Sequence, residues 1–197
     1  HRVSLSLPRR YVPPTHVQSV ALSSDGEQLA TVGSQYGASI WDVASGRLLL
    51  NFRNTNDNKR HPDPEVSIDA IQLVSGVGFS PSGASFAICD MLGIKLIETQ
   101  TGLVLRVIDA PYRYHSCNPQ FVFSADGQLI TLLGTYPEQG ESPTISTWST
   151  SSGERLLTLP IEAEAAAFSA DGKWFAAGEP RAQEALAVWQ NLTHHLR

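Results

Sequence analysis

Short stretches of alternating apolar and polar residues, each ended by a turn signal, recur along this chain. From Val17 to Leu50 the pattern predicts strand, turn, strand, loop, strand, turn and strand. Ser24-Asp25-Gly26 predicts the first turn, because Asp can bond its own backbone and Gly tolerates a positive φ. Ser45-Gly46 predicts the second turn. The four strands are expected around Val20 and Leu22, at 29–32, at 38–43 and from Leu48 onward.

The same order of elements recurs three more times. The turn residues Asp25, Ser82, Asp126 and Asp171 repeat with a period in the forties, after a longer first step that contains an insertion from Asn51 to Leu73. A four-stranded propeller blade occupies roughly 40–45 residues. We therefore predict an all-β protein of about four antiparallel, four-stranded units, at residues 17–50, 74–107, 119–159 and 163–192.

The third strand of most units ends in a tryptophan. Trp41 is followed by Asp42, while Trp148 and Trp189 stand at the equivalent sites of the third and fourth units. With four Ser-x-[Asp/Ser]-Gly turns in register, the chain resembles the WD-repeat β-propeller family over about residues 17 to 192, as a divergent, bacterial-type member. The resemblance implies one rigid ring or part of a ring, in which each unit is a blade.

The chain departs from the family pattern in two ways. Val12-Pro13 stand where the family has a Gly-His pair, and Ser34-Gln35 stand where it has a loop Asp. A complete His-Asp-Ser-Trp hydrogen-bond network in each blade is therefore not expected.

The fourth unit lacks a fourth strand, and the alternating segment Val3–Leu7 lies outside the repeats. The resemblance implies that this N-terminal strand completes the last blade, so that residues 1–197 form a single domain. Closure also removes an unpaired strand edge. Since the chain begins at His1 rather than with methionine, we interpret it as processed or excised. Three arrangements stay open: a piece of a larger propeller, a half-ring that pairs with a second copy or another chain, and a closed small ring.

Composition narrows the class of partner. The net charge of −5 argues against a general nucleic-acid binder or an anionic-membrane binder, since phosphates select basic surfaces. Cys89 and Cys117 have no metal-ligand spacing; reduced thiols are favoured over a single bridge. No cofactor is expected. No signal peptide reports the compartment, and the cytoplasm is slightly favoured.

The long and irregular connections all fall on one predicted face, opposite the short turns. Rigid scaffolds usually place binding on such loops. Within the segment 109–118, Tyr112, Arg113, Tyr114 and His115 are of the types enriched at interface hot spots. These four residues are the predicted partner-binding site. Each of them could instead simply cover neighbouring blades or be solvated.

No catalytic constellation is visible in the sequence. Gly-x-Ser-x-Gly, Cys-x-x-Cys and paired histidines at helical spacing are all absent. The Trp and Phe residues of the strands are assigned to the core between blades. We therefore expect a non-catalytic scaffold that binds a protein or peptide. The alternatives are an enzyme or small-ligand propeller with a site at the central channel, and a sensor domain fused to a signalling protein.

Overall fold

A computed structural model describes residues 17–33, 37–52, 76–90, 93–110, 121–135, 144–161, 163, 165–169, 173–178 and 186–190. This part of the chain contains β-strands and turns and no helix, which confirms the all-β prediction. It contains no helix that could span a membrane. The predicted strand Val3–Leu7 lies outside the described residues. The strands are β1 (Val17–Leu22), β2 (Gln28–Gly33), β3 (Gly37–Asp42), β4 (Leu48–Phe52), β5 (Gly76–Phe79), β6 (Ser85–Asp90), β7 (Gly93–Glu98), β8 (Val104–Ile108), β9 (Phe121–Phe123), β10 (Leu129–Thr135), β11 (Thr144–Ser149), β12 (Arg155–Leu159), β13 (Ala165–Phe168), β14 (Trp174–Gly178) and β15 (Leu186–Gln190).

The strands form four antiparallel sheets, each made of strands consecutive in the chain. Sheet 1 has the order β1-β2-β3-β4, sheet 2 the order β5-β6-β7-β8 and sheet 3 the order β9-β10-β11-β12. Sheet 4 contains β13-β14-β15 within the described residues. Each sheet is thus a meander of hairpins in which every strand pairs with its sequence neighbour.

The turn between the first and second strands has the same construction in each of the first three sheets. In sheet 1, the Ser23 hydroxyl donates to Asp25 Oδ1 at 2.5 Å and accepts the backbone N–H of Gln28 at 2.9 Å. Ser124 and Asp126 repeat this arrangement in sheet 3, with the same 2.5 Å contact. Gly26 has a φ of 74°, the left-handed conformation that the glycine supplies at this place. The predicted turn is therefore confirmed in the first three units, while Asp171 and Gly172 of the fourth lie outside the described residues.

The turn between the third and fourth strands is closed by the residue that follows the tryptophan position. Asp42 accepts the backbone N–H of Ser45 at 2.7 Å, and Glu98 accepts the hydroxyl of Thr101. In sheet 3, Ser149 Oγ accepts the backbone N–H of Ser152 at 3.2 Å. Asp42, Glu98 and Ser149 thus close the same turn with different side chains, so this turn does not require an aspartate.

The sheets stack face to face in chain order. One apolar core joins sheets 1 and 2, with Ile40 and Phe52 packed against Phe86 and Ile88. A second core joins sheets 2 and 3 around Trp148, and a third joins sheets 3 and 4 around Phe175. The first strands also follow one another, since β1 contacts β5, β5 contacts β9 and β9 contacts β13. The first strand of every sheet therefore lies on one common side of the stack.

Candidate functional site

The four residues predicted to bind a partner, Tyr112, Arg113, Tyr114 and His115, lie outside the described residues, and so does Cys117. Partner binding by the loop-rich face therefore stays a prediction. The site that the structure does describe lies at the opposite, tight-turn end of the first strands.

A cleft of about 380 Å³ opens where the first strands of all four sheets end. Ligand sites in proteins commonly enclose roughly 300–1,000 Å³. Sheet 1 contributes Leu22 and Ser24, and sheet 2 contributes the segment 78–81. The remaining walls come from Phe121, Val122 and Phe123 of sheet 3 and from Ala167 and Phe168 of sheet 4. The cleft lies where the stack brings four separate units together, and no single repeat could form it.

The walls of the cleft are mostly aromatic and aliphatic. Leu22, Phe79, Phe123 and Phe168 occupy one equivalent position, three residues before the turn Asp or Ser in each unit. Leu22 is 61% exposed, and the three phenylalanines are half-buried. Such partly exposed rings can still bury apolar surface against a ligand, which is the main source of binding free energy.

Gly78 sets the shape of one wall. A Cβ atom at this position would lie 2.9 Å from Cε2 of Phe121, closer than side chains tolerate. The glycine thus allows the Phe121 ring to lie against the backbone of β5. The ring also meets Phe123 edge to face, with centroids 6.3 Å apart. Both contacts fix the orientation of the aromatic wall before any ligand arrives.

The hydroxyl of Ser80 in the cleft wall is already engaged by its own turn. It accepts the backbone N–H of Ser85 at 3.2 Å and lies 3.2 Å from the Ser82 hydroxyl. Ser80 therefore shapes the wall and offers little to a ligand, which leaves Ser24 as the exposed hydroxyl of the cleft.

Consecutive turns lie close to one another around the rim. A Cβ atom on Gly83 would lie 3.8 Å from the Ser24 hydroxyl, and one on Gly127 would lie 3.5 Å from Cδ of Pro81. Each turn of sheets 2 and 3 is thus a near neighbour of the turn of the sheet before it. The rim is consequently a row of neighbouring turns, each closed by its own hydrogen bonds.

The rim turns carry ionised carboxylates. The hydrogen bond from the Ser23 hydroxyl, followed by that from the Glu27 amide, lowers the pKa of Asp25. The Ser124 hydroxyl lowers the pKa of Asp126 in the same way. Both groups are therefore negatively charged throughout the neutral range.

The tight-turn end as a whole carries more acidic than basic side chains. In the described part of the chain its cations are Arg47, Arg155, Lys173 and Arg106, whose guanidinium donates to the Ser152 carbonyl in the turn between β11 and β12. Its carboxylates are Asp25, Glu27, Asp42, Glu98, Asp126 and Glu154. This end of the molecule therefore favours a cationic ligand over an anionic one.

Within the described ranges, no three His, Cys, Asp or Glu side chains are placed to hold a metal ion. The Cys89 thiol is buried between sheets 2 and 3, where burial and the nearby Asp90 charge raise its pKa to about 12. A thiol in this state is a poor nucleophile.

The core assignment of the strand aromatic residues is confirmed for most of them and is wrong for Trp174, which is 44% exposed. Phe52, Phe86, Phe175 and Trp148 are fully buried, as the core assignment predicts. Phe79, Phe123 and Phe168 are half-buried; they pack against the apolar cores and also line the cleft. Their recurrence at one position of the repeat is the signal that could have identified them as cleft residues.

No protein-family model matches the chain, and a search of the curated proteins finds no significant match.

Proposed function

We propose that this protein is a non-catalytic, WD-repeat-like β-propeller module that binds a peptide segment of a protein partner. The observation that carries the proposal is the aromatic cleft formed jointly by the first strands of four stacked sheets. In this arrangement the sheets act as blades and the cleft is one end of the axial channel. The segment Val3–Leu7 would supply the fourth strand of sheet 4.

One hydrogen bond supports the comparison with WD repeats. Trp41 Nε1–H on β3 donates to Thr31 Oγ1 on β2 at 2.9 Å, and both side chains are buried. This is the Trp-to-hydroxyl portion of the network that the family resemblance implies. In sheet 3, Leu132 occupies the position that Thr31 has in sheet 1. The strand registers show this equivalence, because Ile130 pairs with Trp148 just as Leu29 pairs with Trp41. Of sheets 1 and 3, only sheet 1 therefore has the side chains for this Trp-to-hydroxyl hydrogen bond.

The chemistry of the cleft favours one class of partner. Apolar walls suit an aromatic or aliphatic anchor side chain, and the acidic rim suits Arg or Lys residues on either side of that anchor. We therefore infer a short basic segment with a central apolar anchor as the ligand. The alternative interpretation, a propeller that binds a small ligand in its central channel, would place an apolar molecule in the cleft. Such a ligand would make no charge interaction with the acidic rim.

The proposal is tested by fluorescence anisotropy with two labelled peptides. One carries a Trp-Leu pair flanked by arginines, and the other carries the same pair flanked by glutamates. We expect saturable binding of the arginine peptide alone, weakened by added salt as for exposed charge pairs. Equal binding of both peptides would remove the role of the rim, and binding of neither would remove the proposal.

Two variants locate the binding. Ser24→Lys adds a charge to an exposed cleft residue, so it should abolish binding of the arginine peptide without lowering Tm. The matched control is Val107→Lys on β8, because Val107 is 57% exposed and is not among the residues that line the cleft. Glu27→Gln should weaken binding by up to about fivefold, equivalent to about 0.2–1 kcal/mol for an exposed charge pair.

The predicted loop site is tested beside the cleft. If Tyr114 is a partner anchor, Tyr114→Ala should weaken binding of the partner without lowering Tm. An equal loss of affinity and Tm would identify Tyr114 as a packing residue.

A further inference from the structure

The last sheet of the stack exposes an apolar face. Phe175 and Ala177 of β14 pack into the core with sheet 3, so the alternation of a strand turns Trp174 and Ala176 the other way. Trp174 is 44% exposed, and Val188, the cross-strand partner of Ala176, is 55% exposed. The exposed Ala165 and Ala167 of β13 extend this face.

The equivalent positions in the earlier sheets are buried. Ala176 and Val188 correspond to the cross-strand pair Ala30 and Ile40 of sheet 1, both 0% exposed. In sheets 2 and 3 the corresponding pairs are Ala87–Leu96 and Thr131–Thr147, each residue being 4% exposed or less. In each case the next sheet of the stack covers the pair.

Sheet 1 exposes the complementary surface at the other end of the stack. Val20 and Leu22 on β1 are 60% and 61% exposed. Their equivalents on β5 are Val77, which is 8% exposed, and Phe79, and both pack against sheet 1. The middle of this face is already covered, since Trp41 is 2% exposed, so the available surface is that of β1.

The exposed face of sheet 4 and the exposed surface of β1 match the two sides of the interface between sheets 1 and 2. They could therefore pack on each other in the same way. In the described part of the chain the two surfaces stay exposed and are not packed on each other, although Leu22 and Ala167, one from each surface, border the same cleft. We propose that a second copy of this chain covers them, with sheet 4 of each copy packed on β1 of its partner. Two such head-to-tail contacts related by a two-fold axis close into a ring. A symmetric contact between two copies of sheet 4 would leave Val20 and Leu22 uncovered.

The first measurement is the mass of the chain by light scattering and sedimentation, over a wide range of concentrations and without peptide. We expect a concentration-dependent shift from 21.4 kDa to twice that mass. Acrylamide quenching of tryptophan fluorescence should decrease over the same range, because Trp174 becomes buried. A chain that stays at 21.4 kDa at every concentration overturns the proposal.

Two exposed positions give variants that separate the possible contacts. Val188→Lys and Leu22→Lys each place an uncompensated charge in the proposed interface and should each weaken self-association by about tenfold or more. Val107→Lys, at a similarly exposed valine on β8, is the control and should still associate. Loss of association in all three variants would mean nonspecific apolar contact and would overturn the proposal.

Mixing the two variants tests the head-to-tail arrangement itself. Val188→Lys retains an intact β1 surface and Leu22→Lys retains an intact sheet 4, so an equimolar mixture should form a heterodimer through one contact. If Leu22→Lys forms a homodimer by itself, the contact joins two copies of sheet 4 and the proposal is wrong. Because no peptide is present, this outcome is independent of the binding proposed for the cleft.

Discussion

A charged pair lies between sheets 1 and 2 and gives a quantitative test of how tightly the sheets pack. Lys95 Nζ donates to Asp90 Oδ2, and the side chains are 6% and 0% exposed. Successive residues of a strand point to opposite faces of the sheet. Ile94 and Leu96 face sheet 3, so Lys95 between them lies on the opposite face, together with Ile97, and points toward sheet 1. Its ammonium group is therefore held in the interior of the stack.

The expected cost of breaking this pair follows from its burial. Removing one partner of a buried ion pair typically costs about 3–5 kcal/mol, because the remaining charge is left uncompensated. A domain has a total stability of about 5–15 kcal/mol, so Asp90→Asn and Lys95→Met should each remove a large part of it. The double variant carries neither charge and should recover most of the loss, with a coupling of about 2–3 kcal/mol.

The assay is urea unfolding followed by far-UV circular dichroism, with the free energy of unfolding obtained by linear extrapolation at constant m. Arg155→Met, at an exposed cation of β12, is the control and should change stability by less than about 0.5 kcal/mol. The reasoning is refuted if each single variant stays within about 0.5 kcal/mol of the parent chain, or if the double variant shows the sum of the two losses.

Three further predictions concern single positions. Gly93→Ala should lower Tm strongly, because a Cβ atom there would meet the backbone oxygen of β8 at 2.2 Å; an unchanged melting curve would contradict this close approach. The pKa of Asp126 is lowered in the folded state, so its contribution to stability is present above its unfolded pKa, about 3.9, and is lost as the pH falls through the folded value. Ser124→Ala should therefore reduce the loss of stability on acidification in urea titrations, and an unchanged pH dependence would exclude the hydroxyl as the cause. In a Cys117→Ser background, the Cys89 thiol should react with a thiol reagent at pH 8 only after unfolding, because burial raises its pKa to about 12; rapid reaction in the native state would contradict its burial.

The sequence predicts the local parts of this fold well because their causes are local. The Ser-Asp-Gly turns follow from side chains that bond their own backbone, and Ser23 with Asp25 forms the expected turn. The strand alternation likewise identifies which residues share a face.

Contacts between sheets are harder to predict from the sequence. Alternation places Phe79 and Phe123 on strand faces, but it does not show that the ends of four first strands meet around one cleft. Lys95 gives no sign that its charge is buried, because its partner Asp90 lies on the neighbouring strand and both are enclosed by a sheet from another repeat. The cleft and the ion pair therefore depend on the stacking geometry, which single repeats do not encode.

We propose above that the cleft at the ends of the first strands binds a basic peptide with an apolar anchor. The most direct measurement is an NMR titration of the isotope-labelled chain with the arginine-flanked peptide, at a concentration below that of self-association. We expect saturable chemical-shift changes at Leu22, Phe79 and Phe168, which border the cleft from three sheets. Changes confined to the segment from Tyr112 to His115, with the cleft resonances unmoved, would contradict the account and return the binding site to the loop-rich face.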